Sequence, residues 1–147
     1  MRKPSSPTIC LLLLFVAGGT IALAGTGCGG IKWEYDFIAA ESQANLEQRD
    51  LFIYFRRWSS PRCAELESDW LLSAPQVKPA LKDSVNCWLE WDWSQEIARK
   101  YHVRGYPAFV LLRPNKKATV LAGAITLEQF LEFVARAKTP PPPAAKP

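Results

Sequence analysis

The sequence has few of the residues that usually carry metal or acid–base chemistry. Its 147 residues include one histidine and four cysteines. A single histidine, His102, cannot build a histidine-based metal cluster, so no metal site and no cofactor are expected. Four cysteines are too few for a small exported fold stapled by disulfides. Two of them, Cys10 and Cys28, lie near the N-terminus, leaving Cys63 and Cys87 for the folded part. Strong charge of one sign is also missing. The net charge is +4, and without Arg2 and Lys3 it falls to +2, with 16 basic residues against 14 acidic. No Lys/Arg cluster stands out, so there is no electrostatic ground for nucleic-acid binding. No internal repeat is present.

What the chain does have begins with an apolar run. Arg2 and Lys3 precede Ile9 to Ala24, the layout of an export signal. Gly18, Gly19 and Thr20 interrupt the run, which makes it a poor permanent membrane helix. Two processing sites compete. Ala22-Leu23-Ala24 is a small-x-small site, and Thr26-Gly27-Cys28-Gly29-Gly30 resembles the bacterial lipobox, with Gly25 where that motif usually has leucine. Residues 1–27 are therefore expected to be a signal peptide of lipoprotein type. Lipidated Cys28 would then tether an exported protein to the membrane of the cell envelope or periplasm. At the other end, residues 139–147 carry the proline run Pro140 to Pro143 and read as a disordered, extended tail.

Residues 31–138 read as one folded domain. Ile31 to Glu34 is a short candidate strand, and Asp36 can cap a helix reaching about Gln48. Leu51-Phe52-Ile53-Tyr54-Phe55 is a continuous β-prone run, suited to a strand buried on both faces. Ser60 followed by Pro61 is a helix start, with serine at N-cap and proline at N1. The helix that follows places Cys63, Leu66 and Trp70 on one stripe and ends near Ser73-Ala74-Pro75. A short helical piece covers Gln76 to Lys82, and Val85 to Trp91 is the next strand. Strand alternation would set Trp88 on one face and Trp91 and Trp93 on the other. Ser94 caps a helix with Ile97, Ala98 and Tyr101 inward. After Gly105-Tyr106-Pro107 come strands over Ala108 to Leu112 and Ala118 to Leu121. Thr126 to Gln129 is a capping box for a helix carrying Leu127, Phe130, Leu131 and Val134. This order predicts an α/β fold: a mixed central sheet with helices on both faces, parallel in its first part and closed by an antiparallel hairpin.

Asp92 to Lys138 resembles the second half of a thioredoxin, with Ala98 to Pro107, an apolar strand, Gly123-Ala124 and a terminal helix. Phe52 to Phe55 and Cys63 match the first half in spacing. Cys63-Ala64-Glu65-Leu66-Glu67, then Pro75-Gln76-Val77 and Ala80-Leu81, are similar to the periplasmic C-terminal domain of thiol:disulfide interchange proteins and their small exported relatives. The resemblance covers residues 33 to 138 and implies the thioredoxin fold. It also implies a redox motif at Ser60-Pro61-Arg62-Cys63, a cis proline at Tyr106-Pro107, and backbone there that pairs with an extended peptide.

Against that family the motif is degenerate. The family's first cysteine is the nucleophile, and Ser60 stands in its place; a hydroxyl does not perform thiol–disulfide exchange. Tyr54 stands where many members bury an acid. Ser59 occupies the usual tryptophan position, with Trp58 one place earlier. The expected function is a membrane-tethered protein-contact module without dithiol exchange. Its face would be Trp58, Ser60, Tyr106 and Pro107, its partner a protein or extended peptide. Two alternatives stay open: a monothiol oxidoreductase acting through Cys63, and a structural subunit of an envelope complex. Ser60 as a plain helix cap and Cys63 and Cys87 as plain core residues are the simpler readings.

Overall fold

Five successive buried residues, Leu51 to Phe55, decide the architecture, because a strand buried on both faces needs a layer on each side. The computed structural model describes residues 30–115 and 117–139; Cys28, the leader and the proline run lie outside them. Strand β1 (Asp50–Arg56) is central. It pairs in parallel with β2 (Ser84–Glu90) and antiparallel with β3 (Ala108–Leu112), and β3 pairs antiparallel with β4 (Ala118–Ala122). The strand order is β2-β1-β3-β4.

Alternation along these strands sorts the core into two layers. Leu51, Ile53 and Phe55, with Val85, Cys87 and Val110, face α1 (Phe37–Leu46) and α4 (Gln95–Lys100). Phe52, Tyr54, Phe109 and Leu111 face α2 (Pro61–Leu66), α3 (Val77–Leu81) and α5 (Leu127–Lys138). Phe130 of α5 stands edge-on to Phe52 and Phe109, with centroids 5.8 and 5.2 Å away. Truncating so enclosed a ring costs about 3–5 kcal/mol. The Thr126–Gln129 capping box forms, and α5 buries Phe133 and Ala137 as well as Phe130 and Val134.

Several local expectations are corrected. The first strand shrinks to one bridge, Glu34 to Cys87, because Asp36 takes the N–H groups of Ile38 and Ala39 at 2.8 and 3.2 Å and turns the chain into α1. That helix stops at Leu46, and Gln48 sits in the left-handed region at φ 53°. The helix after Ser60 is not uniform: Glu67–Leu71 forms a π-helical turn, with the Leu72 N–H reaching Glu67 O at 3.1 Å. Strand β2 ends at Glu90, and Trp91–Trp93 is a 3₁₀ turn, so strand alternation does not place Trp91 and Trp93. Ser94 precedes α4, but its side chain makes no cap hydrogen bond.

Candidate functional site

The site is built where β1 hands over to α2. Ser60 has extended backbone, φ −89° and ψ 114°, and Pro61 follows at the first helical turn. The Ser60 hydroxyl accepts the Cys63 N–H at 3.4 Å, and its carbonyl takes the N–H groups of Cys63 and Ala64 at 3.1 and 3.2 Å. The expected cap is therefore present, and it occupies the hydroxyl. Cys63 is 0 % exposed. The Arg57 N–H points at its sulfur, 3.5 Å away.

Behind Cys63 lies a network the sequence reading missed. The Tyr54 hydroxyl donates to Glu67 Oε1 at 3.1 Å, and Arg56 Nε donates to the same oxygen at 2.7 Å. Arg56 Nη1 also lies 3.5 Å from Glu90 Oε2, and Glu90 Oε1 accepts the Trp58 N–H at 2.7 Å. Burial, and after it the neighbouring Cys63 and Glu67, raise the Tyr54 pKa, so the phenol stays protonated. Strand position 54 thus carries a phenol whose hydroxyl meets the Glu67 carboxylate. The signal was available: Glu67 follows Cys63 by four residues, one helical turn along the same face. Arg56 is framed by Trp58 and Trp88, 5.8 and 5.5 Å from their ring centres.

A second set of contacts joins this turn to the proline loop. Arg57 Nη1 donates to the Tyr106 hydroxyl at 2.7 Å, and Arg57 Nε to Asp92 at 3.2 Å. The Tyr106–Pro107 bond is cis. A pocket of about 200 Å³ lies between α2 and this loop, lined by Arg62, Leu66, Trp70, Pro107 and Ile125. The fold thereby brings the Ser60 turn and Tyr106–Pro107 to one end of the sheet. Trp58 joins the network through its backbone N–H and its ring against Arg56, and the residue is 81 % exposed. Pro107 is buried and Tyr106 half-buried against Trp91, 5.5 Å between ring centres.

The other candidates stay apart. Cys63 and Cys87 are both free. Cys87 belongs to the α1 face of the sheet, where burial pushes its thiol up to about 12. His102 is exposed, with left-handed backbone at φ 57°. Among the described residues no group of three or more His, Cys, Asp or Glu is arranged to hold a metal. No helix there is long and apolar enough to cross a membrane.

A four-stranded mixed sheet, a Ser/Pro helix start at the end of its central strand and a cis proline beside it define a thioredoxin-fold domain. Solved structures agree. A thioredoxin from Thermus thermophilus superposes with TM-score 0.63 at 28 % identity, covering 73 % of this chain and 86 % of that one. The C-terminal domain of DsbD from Neisseria meningitidis, in its reduced form, gives 0.58 at 16 %, covering 71 % and 98 %. Thioredoxin from Fasciola hepatica gives 0.58 at 18 %, covering 74 % and 100 %. No family model and no curated protein matches the chain. The chain is a member of the thioredoxin-like superfamily, with a single α/β domain of that fold.

Proposed function

We propose that this thioredoxin-like domain is a protein-contact module that has left dithiol exchange. The observation that carries the reading is the state of the motif. Ser60 stands at the nucleophile position with its hydroxyl used as a helix cap, and Cys63 behind it has no exposed surface. Thiol–disulfide exchange needs an accessible thiolate to attack and a second thiol to resolve; this turn has no thiol at the attacking position, and its one thiol, Cys63, is buried. The surroundings remain suited to contact. Trp58 is exposed, and the pocket beside Pro107 mixes the apolar surfaces of Leu66, Trp70 and Ile125 with Arg62. That combination fits an extended peptide lying against the Ser60/Tyr106–Pro107 face. Export and tethering through lipidated Cys28 complete the reading, and mass spectrometry of the mature N-terminus tests them. A diacylglyceryl mass on Cys28 supports the tether; an unmodified chain starting at Gly25 removes it.

Photo-crosslinking tests the contact face. A photoreactive group at position 58 should trap a polypeptide partner in intact cells, and one at the far end of the sheet, at Asn115, should not. Equal or absent trapping at both positions would refute the face. The monothiol alternative draws on one observation, the Tyr54 hydroxyl close to Cys63 and itself hydrogen-bonded to Glu67. It requires Cys63 to be alkylated in the folded protein, and absence of labelling until unfolding eliminates it.

A further inference from the structure

The six tryptophans do not share one fate, and the one most exposed, Trp93, lies outside the motif. Trp88 packs under Arg56 and against Tyr54, and Trp91 packs on Phe55 and Tyr106. Trp93, at the end of the 3₁₀ turn, is 87 % exposed. It rims an open cleft of about 770 Å³ between the start of α1 and the end of β2, with Tyr35 and Ile38, both largely exposed, on the opposite side.

Two further observations concern this cleft. The first is charge. Its charged lining residues are Asp36, Glu90 and Glu96, all acidic. Glu90 is held by Arg56 and the Trp58 N–H, and both N–H groups on Asp36 go to one oxygen, Oδ1. Among the described residues neither Asp36 nor Glu96 has a basic partner within ion-pair distance. The second is an open strand edge. Strand β2 is the outer strand of the sheet, and among the described residues its outer side is met only by Glu34, through Asn86 O and Trp88 N at 2.8 Å each. Parallel pairing points alternate residues outward, so the Trp88 carbonyl and Glu90 N–H face the same side. The chain has by then turned into α1, and nothing among the described residues pairs with those two groups.

We infer that this cleft is a second docking surface, and that its occupant is an extended polypeptide segment carrying Lys or Arg beside an apolar side chain. Backbone groups of the segment would meet Trp88 O and Glu90 N–H, as in strand addition. The apolar side chain would lie between Ile38 and Trp93. The cation would sit by the Trp93 and Tyr35 faces and the Asp36 and Glu96 carboxylates, where ring quadrupoles and negative charge act together. The carboxylates disfavour an anionic membrane or nucleic acid at the same place. This surface meets the Ser60/Pro107 face at Glu90, whose carboxylate accepts the Trp58 N–H, but its test does not depend on that face.

The test titrates the full chain calorimetrically with a short peptide of alternating arginine and leucine, and with its glutamate–leucine counterpart. The cationic peptide should bind saturably, slow amide exchange at Glu90, and show no comparable affinity with glutamate in place of arginine. Trp93→Ala and Glu96→Lys should each weaken it by about tenfold, the scale of losing an interface anchor; both positions are exposed, and far-UV dichroism confirms folding. Binding that both variants leave unchanged, equal binding of the acidic peptide, absence of saturable binding, or capture by anionic vesicles instead would each overturn the proposal.

Discussion

Replacing Glu67 by alanine should be among the most costly single changes near the motif. The carboxylate serves two groups at once, the Arg56 guanidinium at 2.7 Å and the Tyr54 hydroxyl at 3.1 Å. The Glu67 and Arg56 side chains are only 15 % and 12 % exposed, so water compensates little. Loss of a hydrogen bond to a charged group costs about 1.5–3 kcal/mol, and an orphaned buried hydroxyl adds roughly 1 kcal/mol. Arg56 retains Glu90 at 3.5 Å, which keeps the sum below that of a fully stranded buried charge. The expected total is about 3 kcal/mol, or roughly 12–20 °C in Tm for a domain of this size. Tyr54→Phe removes only the shared hydroxyl and should cost about 1 kcal/mol. Urea denaturation of the two single variants and the double variant gives the coupling directly, and about 1 kcal/mol between Tyr54 and Glu67 is expected. A cost below about 1 kcal/mol for Glu67→Ala, the level of an exposed ion pair, would refute the network as a buried one.

Other predictions follow from single features. Ser60→Ala should lose the N-cap and destabilise by about 0.5–1 kcal/mol in denaturant titration, the lower range because the hydrogen bond is long. Ser60→Cys should place a second thiol at the helix start and form a bridge to Cys63 under mild oxidant, read by mass; a pair that stays reduced would put Ser60 outside the nucleophile position. Alkaline pH should destabilise the fold through Cys87. Its folded thiol titrates near 12 against an ordinary value of 9.0, so the unfolded chain releases this proton first. Stability from this group is therefore whole below pH 9 and lost between 9 and 12, at up to about 1.4 kcal/mol per pH unit. Cys87→Ala should lower stability at neutral pH and flatten that slope, measured by denaturation at stepped pH.

The scaffold was legible because its signals are local and redundant. The apolar run through Phe55, the Ser60-Pro61 start and the Thr126–Gln129 box each specify an element without distant information, and each is found in place. Strand ends were less legible. Trp91 and Trp93 have high β-propensity, yet the segment, with Asp92 between them, folds into a 3₁₀ turn at the end of β2. Trp58, Ser60, Cys63, Tyr106 and Pro107 were singled out through the resemblance to thioredoxins, and the fold brings the Ser60 turn and Tyr106–Pro107 to one end of the sheet. Arg56, Arg57, Glu67, Glu90 and Asp92 were not, because their pairing crosses from β1 to α2, β2 and the proline loop. The consequence is physical. Tyr54 in the strand suggested loss of an acid, and the structure shows its hydroxyl meeting a carboxylate just beyond α2, at Glu67.

Reduction of insulin disulfides by the purified chain with excess dithiol reductant tests the central claim most directly. The account predicts a rate equal to that of the reductant alone, unchanged by Cys63→Ala. Turnover at a thioredoxin-like rate that Cys63→Ala abolishes would contradict it.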